Sequence, residues 1–530
     1  MFAVALGALG TLLLSAALWA FGGAALAAWR MRSIPSPKAP SLVTGHLPAI
    51  LSDRAPIILA EWAAALGPLV RLRLLGTPMV LLADPSEAGK VLRRGPSYIP
   101  KARQLYAALE VGVHPQTPNM LTLDDGATWK AVRTAVAPAF SGASLKQVFP
   151  FTVDATRRTA SRITAAGPGG EVDVADMAKK VTSDVMGSLL FGEDLQGVDG
   201  KPSEYMDIFN EVLEAVHQRF TNPLRPIMAL WDSQARAEAR VLREHDRQLG
   251  IKVAAVRKCP PPEYTITGHL LNVVDPATGQ KLNDNQLKAE IGVVFGAGFE
   301  TTSHAISWTL AALAAYPDCQ ERLARELAAA GLAPTPEHPV PRDFEWSDMA
   351  RLPYLGAVVK ETLRLFSPAS LGTTRLTDRP VELCGHVVPV GVMVMVSPYA
   401  IANQARLYGD DVTQYRPERW LARSEGGAEY LQGEAMAGNG GCGEQQQPQQ
   451  QQGVVPDAIP FSVGPRDCVG RALADLELQV VVSMLVGRFR WEGDATDADD
   501  LKRRACYHVT LQPRGGSMML RATPREAVAA

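Results

Sequence analysis

The spacing of hydrophobic and polar positions changes along the chain, and each change marks a part of it. Residues 1–29 contain no Asp, Glu, Lys or Arg and are dominated by Leu, Ala, Val and Phe. As a helix rising about 1.5 Å per residue, such a stretch is long enough to cross a hydrocarbon core about 30 Å thick. Trp19 and Trp29 suit an interfacial position, and Arg30 and Arg32 follow at once. This predicts a single-pass transmembrane anchor with the bulk of the chain on the cytoplasmic side. A cleaved signal peptide ending near Ala25-Leu26-Ala27 is the rival, but the stretch has no basic start and its apolar run is too long.

Residues 30–45 hold Pro35, Pro37 and Pro40, which cannot continue a helix and predict a stiff hinge. Residues 46–530 then read as one large domain. Around residues 66–83, Val70, Leu72 and Leu74 alternate with Arg71 and Arg73, and Pro78 to Leu82 follow a Gly-Thr turn, predicting a small sheet. From about residue 127 most long segments have helical spacing. Val241 to Val256 is amphipathic. Lys288 to Ala315 is apolar and almost free of charge, so it predicts a helix buried on most sides. Residues 319–331 are amphipathic and end at Gly331. Val392, Val394 and Val396 return to strand alternation, and a last strand pair is predicted to divide near Pro513-Arg514-Gly515-Gly516. The fold class is mainly α with a small β part. Residues 426–453, rich in Gly and Gln, cannot bury enough apolar area to order themselves and predict a disordered insertion, with Cys442 incidental.

Composition narrows the function. Of 530 residues, 20% are charged and the formal net charge is −2, which gives no electrostatic case for nucleic-acid binding. The six cysteines form no CxxC pair and are irregularly spaced, which argues against a zinc site and a disulfide framework. They read as reduced thiols, one of which stands in a special setting. In Phe461-Ser462-Val463-Gly464-Pro465-Arg466-Asp467-Cys468-Val469-Gly470, the cysteine lies just before an apolar helix running from Arg471. The positive end of that helix favours its thiolate. Gly464 and Gly470 allow unusual backbone angles and the close approach of a flat cofactor. A buried free cysteine beside a turn is the plainer reading, but it leaves the fixed offsets of Phe, Gly, Arg, Cys and Gly unexplained.

This run resembles the haem loop of the cytochrome P450 superfamily, Phe-x-x-Gly-x-Arg-x-Cys-x-Gly, at every fixed position, and the resemblance extends over about residues 45–525. It implies a cytochrome P450 fold behind an N-terminal transmembrane helix, of the membrane-anchored eukaryotic type. It implies haem b with Cys468 as its axial iron ligand, Phe461 shielding the sulfur and Arg466 pairing with a propionate. Trp129 and Arg133 match the family's Trp-x-x-x-Arg helix, share a helix face and by resemblance also reach the propionates. Ala297-Gly298-Phe299-Glu300-Thr301-Thr302 lies inside the long apolar helix, where an acid is costly unless paired or used. Gly298 is expected to open room on the helix face. By resemblance Thr301 holds iron-bound dioxygen and its water, and Glu300 belongs to the proton relay. Glu361 and Arg364, three apart in an apolar frame, would be completed by Arg419 of Pro417-Glu418-Arg419-Trp420 as a structural brace. Glu244 and Arg247 have the same spacing but read as a surface helix.

The implied reaction is insertion of one atom of O2 into an apolar, lipid-like substrate, in a membrane of the endoplasmic reticulum facing the cytosol. Substrate contacts are expected from the segment before Trp129, from Phe295 to Thr302, and from Leu371-Gly372-Thr373-Thr374. No dinucleotide-type Gly-rich loop or flavin domain is evident, so electrons are expected from a separate NADPH-dependent flavoprotein reductase. A haem-thiolate isomerase acting on a peroxide without a reductase, a non-catalytic haem sensor and a haem-free helical scaffold are the alternatives.

Overall fold

The computed structural model describes residues 26–527 apart from 42, 111–116, 202–203, 223 and 427–457. The predicted anchor up to residue 25, the Gln-rich segment from residue 427 and Cys442 lie outside the described residues. No helix among the described residues is long and apolar enough to cross a membrane. In chain order the longer helices are α1 (Ala55–Leu66), α2 (Pro85–Leu92), α3 (Ala127–Val136), α4 (Gly142–Ala165), α5 (Val174–Phe191), α6 (Glu204–Thr221), α7 (Ser233–Lys258), α8 (Asp284–Ala315), α9 (Pro317–Ala329), α10 (Pro353–Leu365) and α11 (Arg471–Arg488). The strands used below are β1 (Leu69–Leu74), β2 (Thr77–Leu82), β3 (Gly170–Asp173), β4 (Thr373–Leu376), β5 (Met393–Val396), β6 (Phe489–Glu492), β7 (Ala505–His508), β8 (Thr510–Pro513) and β9 (Met519–Pro524).

These elements fall into two compact units. The first comprises the described parts of Met1–Ala102, Ser370–Val412 and Asp457–Asp467; the second those of Arg103–Ala369, Thr413–Pro456 and Cys468–Ala530. In the first unit β1 and β2 pair antiparallel from Leu69↔Leu82 to Leu74↔Thr77. β5 joins β2 in parallel and β4 joins β5 antiparallel, giving the order β1-β2-β5-β4. Val70 and Leu72 are buried while Arg71 and Arg73 are half-buried, so the alternation in β1 is the burial of one strand face, whereas Met79 to Leu82 and Val394 to Val396 are buried on both faces.

The second unit is helical around α8. Its start is fixed by a capping box: Asn283 accepts from the Gln286 backbone N–H, and Gln286 accepts from that of Asn283. Its end comes at Tyr316, before Pro317. Between them the helix is buried on most sides and packs against α5, α7 and α11. Two glycines permit this closeness. A Cβ at Gly296 would lie 2.5 Å from the Phe209 ring, and one at Gly298 would lie 2.4 Å from Met186 Sδ. The room expected at Gly298 is therefore taken by Met186 of α5. Phe295 and Phe299 are also fully buried, tilted against each other and packed edge-on to Phe209. They belong to the core between α8 and α6 rather than to a substrate-facing wall.

The end of the chain differs from the sequence expectation. β7 and β8 pair from Ala505↔Pro513 to His508↔Thr510, so their hairpin turns at Val509. The Pro513–Gly516 stretch instead leads into β9, which pairs with β6 and β3. Val509 adopts φ +65°, a strained angle for a β-branched residue, which no turn-forming residue signals.

Candidate active site

The cysteine loop is divided between the two units, Phe461 to Asp467 in the first and Cys468 onward in the second. In the first, Ile459 and Ser462 adopt left-handed φ of +50° and +61°, and Gly464 +84°. The Ser462 N–H donates to Ile459 O at 2.9 Å and the Asp467 N–H to Gly464 O at 3.1 Å, closing two successive tight turns. A Cβ at Gly464 would lie 2.3 Å from Leu92 O, so only glycine lets this backbone pass the end of α2. Phe461 and Arg466 are half-buried. In the second unit Cys468 is exposed, and Gly470 is the N-cap of α11. The thiol thus stands two residues before a helix N-terminus, which favours the thiolate. A Cβ at Gly470 would sit 4.0 Å from Cys468 Sγ.

On α8 the acid and the alcohol of the predicted pair face different ways. Thr301 Oγ1 donates back to Ala297 O at 2.8 Å. Ala297 is exposed and Val293 and Thr301 are half-buried, an open stripe at i, i+4 and i+8 on a helix otherwise buried there. Glu300 lies about 100° round the helix from Thr301. It is buried and accepts from Thr510 Oγ1 at 3.1 Å. Burial pushes its carboxyl up to about 7, against the opposing pull of Thr510 and Lys179.

Trp129 and Arg133 lie four residues apart on α3, Trp129 buried and Arg133 half-buried. Glu361 on α10 accepts from Arg364 Nε (2.9 Å), Arg419 Nε (3.0 Å), Trp420 Nε1 (2.9 Å) and the Arg416 backbone N–H (3.0 Å). The Glu361 and Arg364 side chains are both 0% exposed. The equally spaced Glu244 and Arg247 are 38% and 57% exposed, so an identical spacing yields a buried cluster in one place and a surface pair in the other. In the first unit Gly372 turns at φ +73° against Val396 O, with Leu371 buried and Thr373 and Thr374 half-buried beside it.

Three further polar groups escaped the sequence reading. Arg375, on β4, is fully buried, and its three guanidinium nitrogens find no hydrogen-bond partner among the described residues. A buried cation left so is costly unless an anion meets it. Nothing in the short run Thr-Thr-Arg-Leu marks this. Glu477 on α11 is fully buried, and burial drives its carboxyl far up, opposed only by Thr302. An acid in an apolar helix nine residues after the cysteine carries the same signal as Glu300. His304, one turn beyond Glu300, is buried, and its Nδ1 lies 3.0 Å from Thr510 Oγ1.

These residues fit a haem. In the second unit the exposed thiol at a helix N-terminus suits an iron ligand and the open stripe of Val293, Ala297 and Thr301 suits a flat apolar face; in the first, the buried Arg375, with no partner among the described residues, suits an anionic group. Sequence comparison agrees. The chain is 27% identical to "Cytochrome P450 4F2" of Homo sapiens over 84% of this chain and 81% of that protein. It is 25% identical to "Ultra-long-chain fatty acid omega-hydroxylase" of Homo sapiens over 88% and 85%. It is 23% identical to "Cytokinin hydroxylase" of Arabidopsis thaliana over 76% and 71%. The family described as Cytochrome P450 matches residues 35–519, and the chain therefore belongs to the cytochrome P450 family of haem-thiolate monooxygenases.

Proposed function

We propose that the chain inserts one atom of O2 into an apolar, lipid-like substrate, using electrons from a separate NADPH-dependent flavoprotein reductase, with Cys468 as the axial ligand. The observation that carries this reading is the exposed Cys468 two residues before the α11 N-terminus, inside a loop whose turns require Gly464. Bound through a thiolate, haem supplies the activation of O2, the thiolate's electron donation favouring O–O cleavage. The chain's own residues bind, orient and deliver protons. Phe461 shields the sulfur. Arg466, Arg133, Trp129 and Arg375 hold propionates, the charged ones through charge-assisted hydrogen bonds. Gly464 and Gly470 let the loop approach. Thr301 holds oxygen-side water, and Glu300, near neutrality in its pKa, holds a proton. Glu361, Arg364 and Arg419 fix α10 to the Pro417–Trp420 segment and thereby brace the second unit.

The fatty-acid name of one relative supports a lipid-like substrate. Membrane attachment, with residues 1–29 as the anchor, 30–45 as the hinge, the catalytic domain in the cytosol and the endoplasmic reticulum as the site, is part of the same proposal. Phe220 at the end of α6 and Leu224, Ile227, Leu230 and Trp231 between α6 and α7 are all exposed, apolar side chains suited to a lipid surface. Full-length chain in lipid vesicles is expected to oxidise a long-chain fatty acid only when NADPH, reductase and O2 are all present. Turnover with NADPH but no reductase contradicts the proposal, as does conversion of a hydroperoxide as the sole activity. The purified chain is expected to sediment with vesicles, and replacing both Leu230 and Trp231 by Glu to weaken that binding; unchanged binding would remove this patch from the account.

A further inference from the structure

Thr510 is placed by packing, not by the acid it touches. It follows the hairpin tip at Val509, whose side chain packs on Val212, Ala215, Val216 and Leu242 of α6 and α7. The same hairpin is tied to α8 by Trp308 Nε1, which donates to Leu511 O at 3.0 Å. Thr510 Oγ1 consequently stands between Glu300 Oε1 (3.1 Å) and His304 Nδ1 (3.0 Å). His304 is 0% exposed, and its Nε2 finds no partner among the described residues, so the chain of hydrogen bonds ends there.

We propose that Thr510 and His304 are positioning residues for Glu300, a hydrogen-bonded chain that holds its carboxyl against the β7–β8 hairpin and sets how readily it gives up a proton. The proposal rests on the reading of Glu300 and Thr301 as the oxygen side of a haem-thiolate site. A neutral imidazole carries one N–H and a hydroxyl one O–H, so the chain has a direction. When Glu300 gives up its proton it becomes a carboxylate. The Thr510 O–H then donates to it, and the His304 Nδ1–H donates to Thr510. Water re-protonates the acid. Burial holds His304 neutral, its pKa pushed down to about 3. The other groups facing this acid are Lys179 on α5, which favours the carboxylate, and Tyr507 on β7.

The test uses purified full-length protein. Infrared titration follows the C=O band of protonated Glu300, identified by its loss in Glu300→Gln. Thr510→Val removes the donor to the carboxylate, so the midpoint is expected to rise by about one pH unit, the size of one hydrogen bond to a charged group. Thr510→Ser is expected to restore it. His304→Leu is expected to raise it by less, and serves if Thr510→Val does not fold. In reconstituted enzyme with a long-chain fatty acid, Thr510→Val is expected to release several-fold more peroxide per NADPH, and Thr510→Ser to reverse this. An unchanged midpoint in folded Thr510→Val or His304→Leu overturns the proposal while leaving the haem-thiolate reading intact. Failure of the unsubstituted chain to give a thiolate-type band when reduced and exposed to CO overturns both.

Discussion

Replacing Glu361 by Ala is expected to remove about 3–5 kcal/mol of folding stability, the range for stranding the partners of a buried ion pair. The carboxylate accepts two arginines, the Trp420 indole and the Arg416 backbone at once, in a place where its side chain and that of Arg364 are 0% exposed. Arg364 also donates to Gln414 O at 3.1 Å, a neutral carbonyl that does not replace the carboxylate. Against a typical total of about 5–15 kcal/mol, such a loss removes a large share of the folding stability. Glu244→Ala is the matched control. Its partner Arg247 is exposed, so the change is expected to cost under about 1 kcal/mol. Urea unfolding of both variants measures the contrast, and equal losses would remove the brace from the account.

Arg375→Met is expected to act with opposite signs on the two forms of the protein. Without haem it relieves a buried guanidinium that has no protein acceptor among the described residues, so the variant is expected to unfold at higher temperature than the unsubstituted chain. With haem it removes a charge-assisted hydrogen bond of about 1.5–3 kcal/mol, so affinity is expected to fall roughly 10- to 100-fold. Thermal unfolding of haem-depleted protein and haem titration give the two values. A variant that loses stability in both forms would make Arg375 a structural cation with a partner of its own.

How much of this was legible depends on what kind of signal each residue leaves. The helices are legible from periodicity, and α8 stands out because a long apolar run almost free of charge has to be buried. β1 and β5 came from alternation. The cysteine loop is legible because its residue types recur at fixed offsets, and one of them, Gly464, is required by a backbone oxygen 2.3 Å from where its Cβ would be. The hairpin at Val509 left no trace, because its strained tip is held by packing on α6 and α7 rather than by a turn residue. Gly298 signals room on the helix face, and that space belongs to Met186, since a glycine does not say which neighbour it admits. Arg375 was invisible for a related reason. A cation on a short strand looks like a surface residue until burial shows that no described residue accepts a hydrogen bond from it. In the sequence His304 is one polar residue among several on α8, and Thr510, 206 residues away, gives it a role.

The central claim is that Cys468 ligates haem iron as a thiolate. The absorbance spectrum of the dithionite-reduced, CO-treated full-length chain, recorded beside Cys468→Ala, tests it most directly. The account predicts the red-shifted band of thiolate-ligated haem in the unsubstituted chain and its complete loss in the variant. A variant that keeps the band, or an unsubstituted chain that binds haem without ever showing it, would contradict the assignment.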